Sequence, residues 1–217
     1  MFYTIARILV MGFINLVNGN VHVEQRDKLP KGNYILVGPH RTWWDPIFFA
    51  YAASPKQFTF MAKKETFKNP IIRWILVHAN AFPVDRKHPG PSAIKIPVNH
   101  LRKDNMSLIM FPTGSRYSSQ LKGGAVLIAK LAQVPLVPVV YQGPLKLSGV
   151  FKRQKIVIRF GNPIYINKKI KIDDTTLTQT ENQMQNAFNK LDKEINPNFK
   201  YVPDAKKLAE EKAKGSL

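Results

Sequence analysis

The sequence predicts an α/β domain: a mixed, largely parallel sheet flanked by helices, with an apolar helix at the amino terminus. Three observations predict it. Short runs rich in β-branched and aromatic residues alternate with longer segments of helical character. Several runs stop at Gly or Pro, as strands entering a turn do. The 217 residues are 44% apolar, enough for one sizeable core and one domain.

The first segment, MFYTIARILVMGFINLV, is nearly all apolar and contains Arg7. A spanning helix needs about 20 residues. Neither a basic n-region nor a small-residue cleavage site flanks it, so a signal peptide is not expected. Wound as a helix, Thr4, Arg7, Met11, Asn15 and Asn18 share one narrow stripe, and Phe2, Ile5, Leu9, Phe13 and Leu16 point elsewhere. Gly19 can end it. A wide apolar face with a thin polar stripe suits a helix lying in a membrane interface. The same pattern also suits a core helix, its commoner origin.

NYILVG (33–38) reads as a buried strand, and DPIFFAYAA (45–53) as a helix opened by Asp45 and Pro46. QFTFMA (57–62) is a strand. NPIIRWILVHAN (69–80) is a helix with Asn69 as its cap. AFPVD (81–85) is extended, PSAIKIPVNHLRKD (91–104) helical in part, and MSLIMFP (106–112) a strand. GGAVLIAKLAQ (123–133) is a helix, VPLVPVVYQG (134–143) and KIVIRFG (155–161) are strands, and residues 178–195 form an amphipathic helix. The charged residues 205–217 read as a tail. The expected division is an interface helix over 1–19, the main domain over 20–200 and the tail over 201–217.

The chain carries 33 basic and 14 acidic residues, a formal charge of +19. No acidic residue falls between Asp104 and Asp173. Such a balance calls for an anionic partner: nucleic acid, an anionic membrane, a phosphorylated substrate or an acidic carrier. The absence of cysteine excludes disulfides, thiolate metal sites and cysteine nucleophiles, and suits a reducing cytosol. The five histidines form no H-x-x-x-H or H-x-H pair, so no metal site is expected.

Three stretches can carry chemistry. In PHRTWWDP (39–46), His40 follows a strand end and Asp45 opens a helix, with four residues between them. A neutral imidazole is a serviceable general base near pH 7, and a carboxylate can fix its tautomer. The spacing alone more often describes a packed strand–helix junction, with His40 a loop residue and Asp45 only a helix cap. In FPTGSRYSS (111–119), Thr113, Gly114 and Ser115 make a small-residue turn after a strand, and Arg116 supplies a fork suited to phosphate. It is not a P-loop, because G-x-x-x-x-G-K-[ST] is absent. AKKETFKNP (62–70) and FPVDR (82–86) place Lys63, Lys64 and Arg86 after two further segments. In a parallel sheet these strand ends converge on one edge. No G-x-S-x-G elbow occurs, so a covalent acyl–enzyme is not suggested.

In this order the blocks resemble those of the PlsC-like glycerolipid acyltransferases. H-x-x-x-x-D stands as His40–Asp45, the K-x-E block as Lys63-Lys64-Glu65 with Phe82–Arg86, and F-P-E-G-[ST]-R as Phe111–Arg116. An apolar block around proline stands as Val134–Val139. The resemblance covers about residues 20–165. It implies transfer of a fatty acyl group from an acyl thioester to the sn-2 hydroxyl of lysophosphatidic acid, giving phosphatidic acid. His40 would act as base and Asp45 as its orienter. Arg86 and Arg116 would hold the phosphate, with Lys63, Thr113, Gly114 and Ser115 beside them. Neither metal nor prosthetic group is implied, and acyl-CoA or acyl carrier protein would be co-substrate. Thr113 stands where the family commonly has glutamate, so acceptor identity does not carry over from that position. The implied location is the cytoplasmic face of an anionic cell membrane, held peripherally or monotopically by residues 1–19, with a lysophospholipid as acceptor and no nucleic acid. Within the same chemistry the acceptor would instead be glycerol 3-phosphate or another lysophospholipid. From a different class, a basic nucleic-acid- or membrane-binding module without catalysis explains the charge but not the residues gathered after strand ends.

Overall fold

The computed structural model describes residues 2–85, 88–116, 121–170 and 172–202, together with 209 and 213. The described residues form a sheet of seven strands: β1 (Val21–Glu24), β2 (Ile35–Val37), β3 (Phe58–Lys63), β4 (Ala81–Val84), β5 (Ser107–Met110), β6 (Leu136–Gln142) and β7 (Ile156–Phe160). Their order is β1-β7-β6-β2-β5-β3-β4. Strands β6, β2, β5, β3 and β4 run parallel, and β7 pairs antiparallel with β6 and parallel with β1. Val37 lies opposite both Met110 and Pro138, so the chain leaves β2 and β5 at the same level.

Alternation along the strands builds two cores. Leu36, Val137, Val139 and Ile158 point to one face, packed against α2 (Asp45–Ala52) and Ile14 of α1 (Phe2–Val17). Ile35, Val37, Leu108 and Val140 point to the other, packed against α4 (Ser92–Lys103), α5 (Gly124–Ala132) and α7 (Asp174–Ile195). The short α6 (Leu147–Phe151) lies between β6 and β7 in the chain. Helix α3 (Pro70–His78) lies beside the edge strand β4 and buries none of its residues. Asn69 caps it as expected, its Oδ1 accepting from the N–H groups of Ile71 and Ile72 at 3.0 and 3.1 Å.

Differences from the sequence reading have local causes. Helix α4 runs through Pro97 rather than forming in part; the proline is buried, so packing offsets the backbone hydrogen bond it removes. Helix α7 begins at Asp174 rather than 178, because the Asp173 carboxylate accepts from the Thr176 N–H at 2.8 Å. That bond holds the Asp173 carboxyl below its ordinary range. Strand β1, a short edge strand with His22 and Glu24 in it, has no apolar run to announce it. The tail, apart from residues 209 and 213, lies outside the described residues.

Gly38 sets how closely β2 leaves the sheet. A Cβ there would lie 2.4 Å from the Val139 carbonyl oxygen and 3.0 Å from the Phe49 ring. Gly38→Ala is expected to cost about 1–3 kcal/mol of stability, as overpacking does, read as a lower urea midpoint at unchanged m-value.

Candidate active site

The site begins where β2 ends. Gly38 and Pro39 carry the chain out of the sheet, and His40 opens a turn closed by α2. Asp45, in the first turn of α2, is fully buried, and its carboxylate folds back onto that turn. Oδ2 accepts from the N–H groups of Arg41 at 2.6 Å and Thr42 at 2.8 Å, and Oδ1 accepts from the Thr42 hydroxyl. His40 Nδ1 lies 3.0 Å from Oδ2. An ionised carboxylate only accepts, so Nδ1 carries the hydrogen and Nε2 keeps the lone pair. A residue read as a helix opener thus also gathers four donors and orients the imidazole.

The His40 ring stacks on Phe111, with centroids 4.0 Å apart and planes at 20°. This joins the turn after β2 to the turn after β5. There Gly114 takes a left-handed φ of 67° and donates its N–H to the Phe111 carbonyl at 2.9 Å. Thr113 and Ser115 are buried, and the Thr113 hydroxyl donates to the Ser115 carbonyl at 2.7 Å. The Thr113 hydrogen therefore closes the turn.

A cavity of about 340 Å³ opens beside His40. Met61, Ile94, Ile109 and Ile128 give it an apolar wall, and Asp85, Gly114 and Lys122 give it polar groups. Lys122 is a cation that the motifs did not single out. The position a Gly114 Cβ would take is 3.8 Å from its Nζ, and its N–H donates to the Pro112 carbonyl at 2.9 Å. Its only sequence signal is a lone lysine before a helix start in a stretch free of acids. Lys63 is exposed at the end of β3, just past Met61 and Ala62 in the cavity wall. Lys64 pairs with Asp85, and that contact raises the lysine's pKa. Arg86 lies outside the described residues. Arg116 is half-buried beyond Ser115 and is not among the residues lining the cavity.

A layer behind the turn comes from the carboxyl-terminal part of the chain. Arg41 is 9% exposed. Its Nη1 donates to the Tyr141 carbonyl at 2.7 Å and to Asp192 Oδ1 at 3.0 Å, and its Nη2 donates to Asp192 Oδ2. The guanidinium also lies 4.7 Å from the Phe199 ring centroid. The Tyr201 hydroxyl is 3.4 Å from the Arg41 carbonyl and 3.1 Å from that of Arg116, so one residue spans both loops. Of the two tryptophans, Trp44 is buried and donates its Nε1–H to the Tyr141 hydroxyl at 3.3 Å, whereas Trp43 is 57% exposed. Burial raises the pKa of Tyr141, keeping that hydroxyl protonated. Among the described residues, no group of three or more His, Asp or Glu side chains is placed to hold a metal ion.

A buried carboxylate, an oriented imidazole and a mostly apolar cavity with a cation can support base-assisted transfer to a hydroxyl. Comparison with known proteins points the same way. The family model described as Acyltransferase matches residues 20–142. A 1-acyl-sn-glycerol-3-phosphate acyltransferase of Streptococcus pneumoniae is 50% identical over 196 residues, 89% of this chain and 74% of its own. One from Bacillus subtilis is 40% identical over 152 residues, 69% of this chain and 76% of its own. The crystal structure of the 1-acyl-sn-glycerophosphate (LPA) acyltransferase PlsC from Thermotoga maritima shares the fold, with a TM-score of 0.61 at 19% identity over 90% of this chain and 83% of that one. A family match running from β1 to the end of β6, with a relative identical at half its aligned positions, shows that this chain belongs to the acyltransferase family.

Proposed function

We propose that the protein transfers a fatty acyl group from an acyl thioester to the sn-2 hydroxyl of lysophosphatidic acid, forming phosphatidic acid. The observation that carries this reading is the His40–Asp45 pair, with His40 lining the cavity, in a chain 50% identical over 196 residues to a 1-acyl-sn-glycerol-3-phosphate acyltransferase. His40 Nε2 takes the hydroxyl proton as the oxygen attacks the thioester carbonyl. Asp45 holds the Nδ1 tautomer and stabilises the imidazolium as it forms. Collapse of the tetrahedral intermediate breaks the C–S bond, and the imidazolium returns the proton to the departing thiolate. Arg86 and Arg116 bind the acceptor phosphate, with Lys63 and the 113–115 turn nearby. Lys122 adds positive charge at the cavity itself. The reaction needs no metal or prosthetic group, and acyl-CoA or acyl carrier protein is the donor.

Both substrates in this reading are anionic, which accounts for a charge of +19. Among the described residues no helix is long and apolar enough to cross a membrane. We place the protein peripherally on the cytoplasmic face, with α1 in the interface. Residues 1–19 then serve as the attachment, 20–200 as the catalytic domain and 201–217 as a tail.

The purified protein given lysophosphatidic acid with acyl-CoA or acyl carrier protein thioester, side by side, is expected to form phosphatidic acid from at least one donor. Formation from neither would overturn the reading. Faster acylation of glycerol 3-phosphate in competition would reassign the acceptor.

A further inference from the structure

We infer that α3 is a second membrane-docking helix, and that α1 and α3 together seat the protein on an anionic lipid leaflet, with Trp74 entering the lipid. The inference rests on the reading that the acceptor is a membrane lipid.

Helix α1 is turned inside out relative to a water-facing helix. Its polar stripe faces the protein: Arg7 donates to the Pro55 carbonyl, and Asn18, 1% exposed, donates to the Val150 and Gln154 carbonyls at 3.0 and 3.1 Å. Asn15 accepts from the Tyr51 hydroxyl at 2.7 Å. The opposite face leaves Ile8, Leu9, Phe13 and Leu16 between 57 and 74% exposed. Helix α3 also turns large apolar side chains outward, with Ile71, Ile72, Trp74, Ile75 and Val77 between 42 and 70% exposed. The two surfaces are joined, because the Phe2 ring packs edge-on to Trp74 and His78, 5.2 Å from each centroid. Scattered apolar residues on a soluble surface need no explanation, but two touching helices that both face their large apolar side chains outward do.

Charge selects the occupant. No acidic residue precedes Glu24, and none lies between Glu65 and Asp85. Lys63, Lys68 and Arg73 are exposed on or beside α3. A second copy of the chain would bring the same positive charge against this face, whereas phosphate headgroups complement it while acyl chains receive the apolar residues. Position agrees with this. The chain enters α3 through a 3-10 turn, Lys64–Lys68, directly after the end of β3, where Met61 and Ala62 line the His40 cavity. Docking through α3 holds that cavity near the leaflet that supplies the acceptor.

The test uses vesicles of phosphatidylglycerol and phosphatidylcholine whose acyl chains carry bromine, which quenches tryptophan that enters the lipid. The full chain is expected to be quenched, and Trp74→Phe is expected to lose most of that quenching. Ile71→Ser with Ile75→Ser, both at exposed positions, is expected to weaken vesicle binding at least about tenfold. It should lower phosphatidate formation from vesicle-embedded lysophosphatidate in step. It should leave turnover of a water-soluble, short-chain lysophosphatidate unchanged. The inference is overturned if Trp74→Phe is quenched as fully as the parent or if the double variant binds vesicles like the parent. It is also overturned if, without lipid, the parent self-associates through this face and the substitutions abolish that association. If neither acceptor is turned over, the functional reading fails while the quenching still decides the docking.

Discussion

Replacing His40 by alanine is expected to lower kcat for acyl transfer by about 10²–10⁴-fold, the range for losing a positioned general base, with little change in KM or folding. The folding half follows from the neighbours. Asp45 would lose one donor but keep the Arg41 and Thr42 N–H groups and the Thr42 hydroxyl, so its buried carboxylate stays satisfied. The His40 side chain is 15% exposed, and its main apolar contact is the stacking on Phe111. The KM half follows because the cavity's apolar wall and Lys122 are untouched. Asp45→Asn is a poorer test of chemistry. Its amide would present N–H hydrogens to a site already filled with donors, and unfolding would be confounded with lost orientation. Turnover of His40→Ala within a few-fold of the parent, at a similar melting temperature, would remove His40 from the mechanism and with it the reason for placing the reaction in this cavity.

His40 and Asp45 were legible because their relation is local. Both lie in one turn, and a strand end on one side and a helix start on the other fix their separation. The parallel sheet was legible for a related reason: strands buried on both faces read as near-continuous apolar runs, as Ile35–Val37 and residues 136–141 do. What stayed hidden depends on distant partners. Arg41 carries no local signal of its role, because its ion-pair partner lies 151 residues away. The orientation of α1 was undecidable because a thin polar stripe faces water or protein according to what receives it. The Pro55, Val150 and Gln154 carbonyls that receive Arg7 and Asn18 become neighbours only in the folded chain. Helix α3 was legible as a helix, but that it buries none of its residues follows from its place outside edge strand β4.

Asp192→Ala is expected to cost about 3 kcal/mol of stability, the lower end for breaking a buried ion pair, measured by urea unfolding. The low end applies because Asp192 is 14% exposed and water can reach the space it leaves. Arg41 is worse placed. Its Nε has no partner among the described residues, and without Asp192 the buried guanidinium keeps the Tyr141 carbonyl and the Phe199 ring. Gln142 loses its side-chain acceptor but keeps the Asp192 backbone carbonyl at 2.8 Å. The cost is therefore that of an uncompensated charge, and removing the charge should recover it. Arg41→Met combined with Asp192→Leu is expected to be far more stable than Asp192→Ala, because an apolar pair of similar volume needs no solvation. Stability and activity should then separate. The Arg41 backbone N–H still donates to Asp45 in the double variant, but the fork that ties the His40 turn to α7 is gone. A kcat several-fold below the parent, at near-parental stability, would identify α7 as a support that holds the base in register. A double variant as active as the parent would reduce the Arg41–Asp192 pair to a stabilising contact, leaving Asp45 and the local turn to orient His40 by themselves.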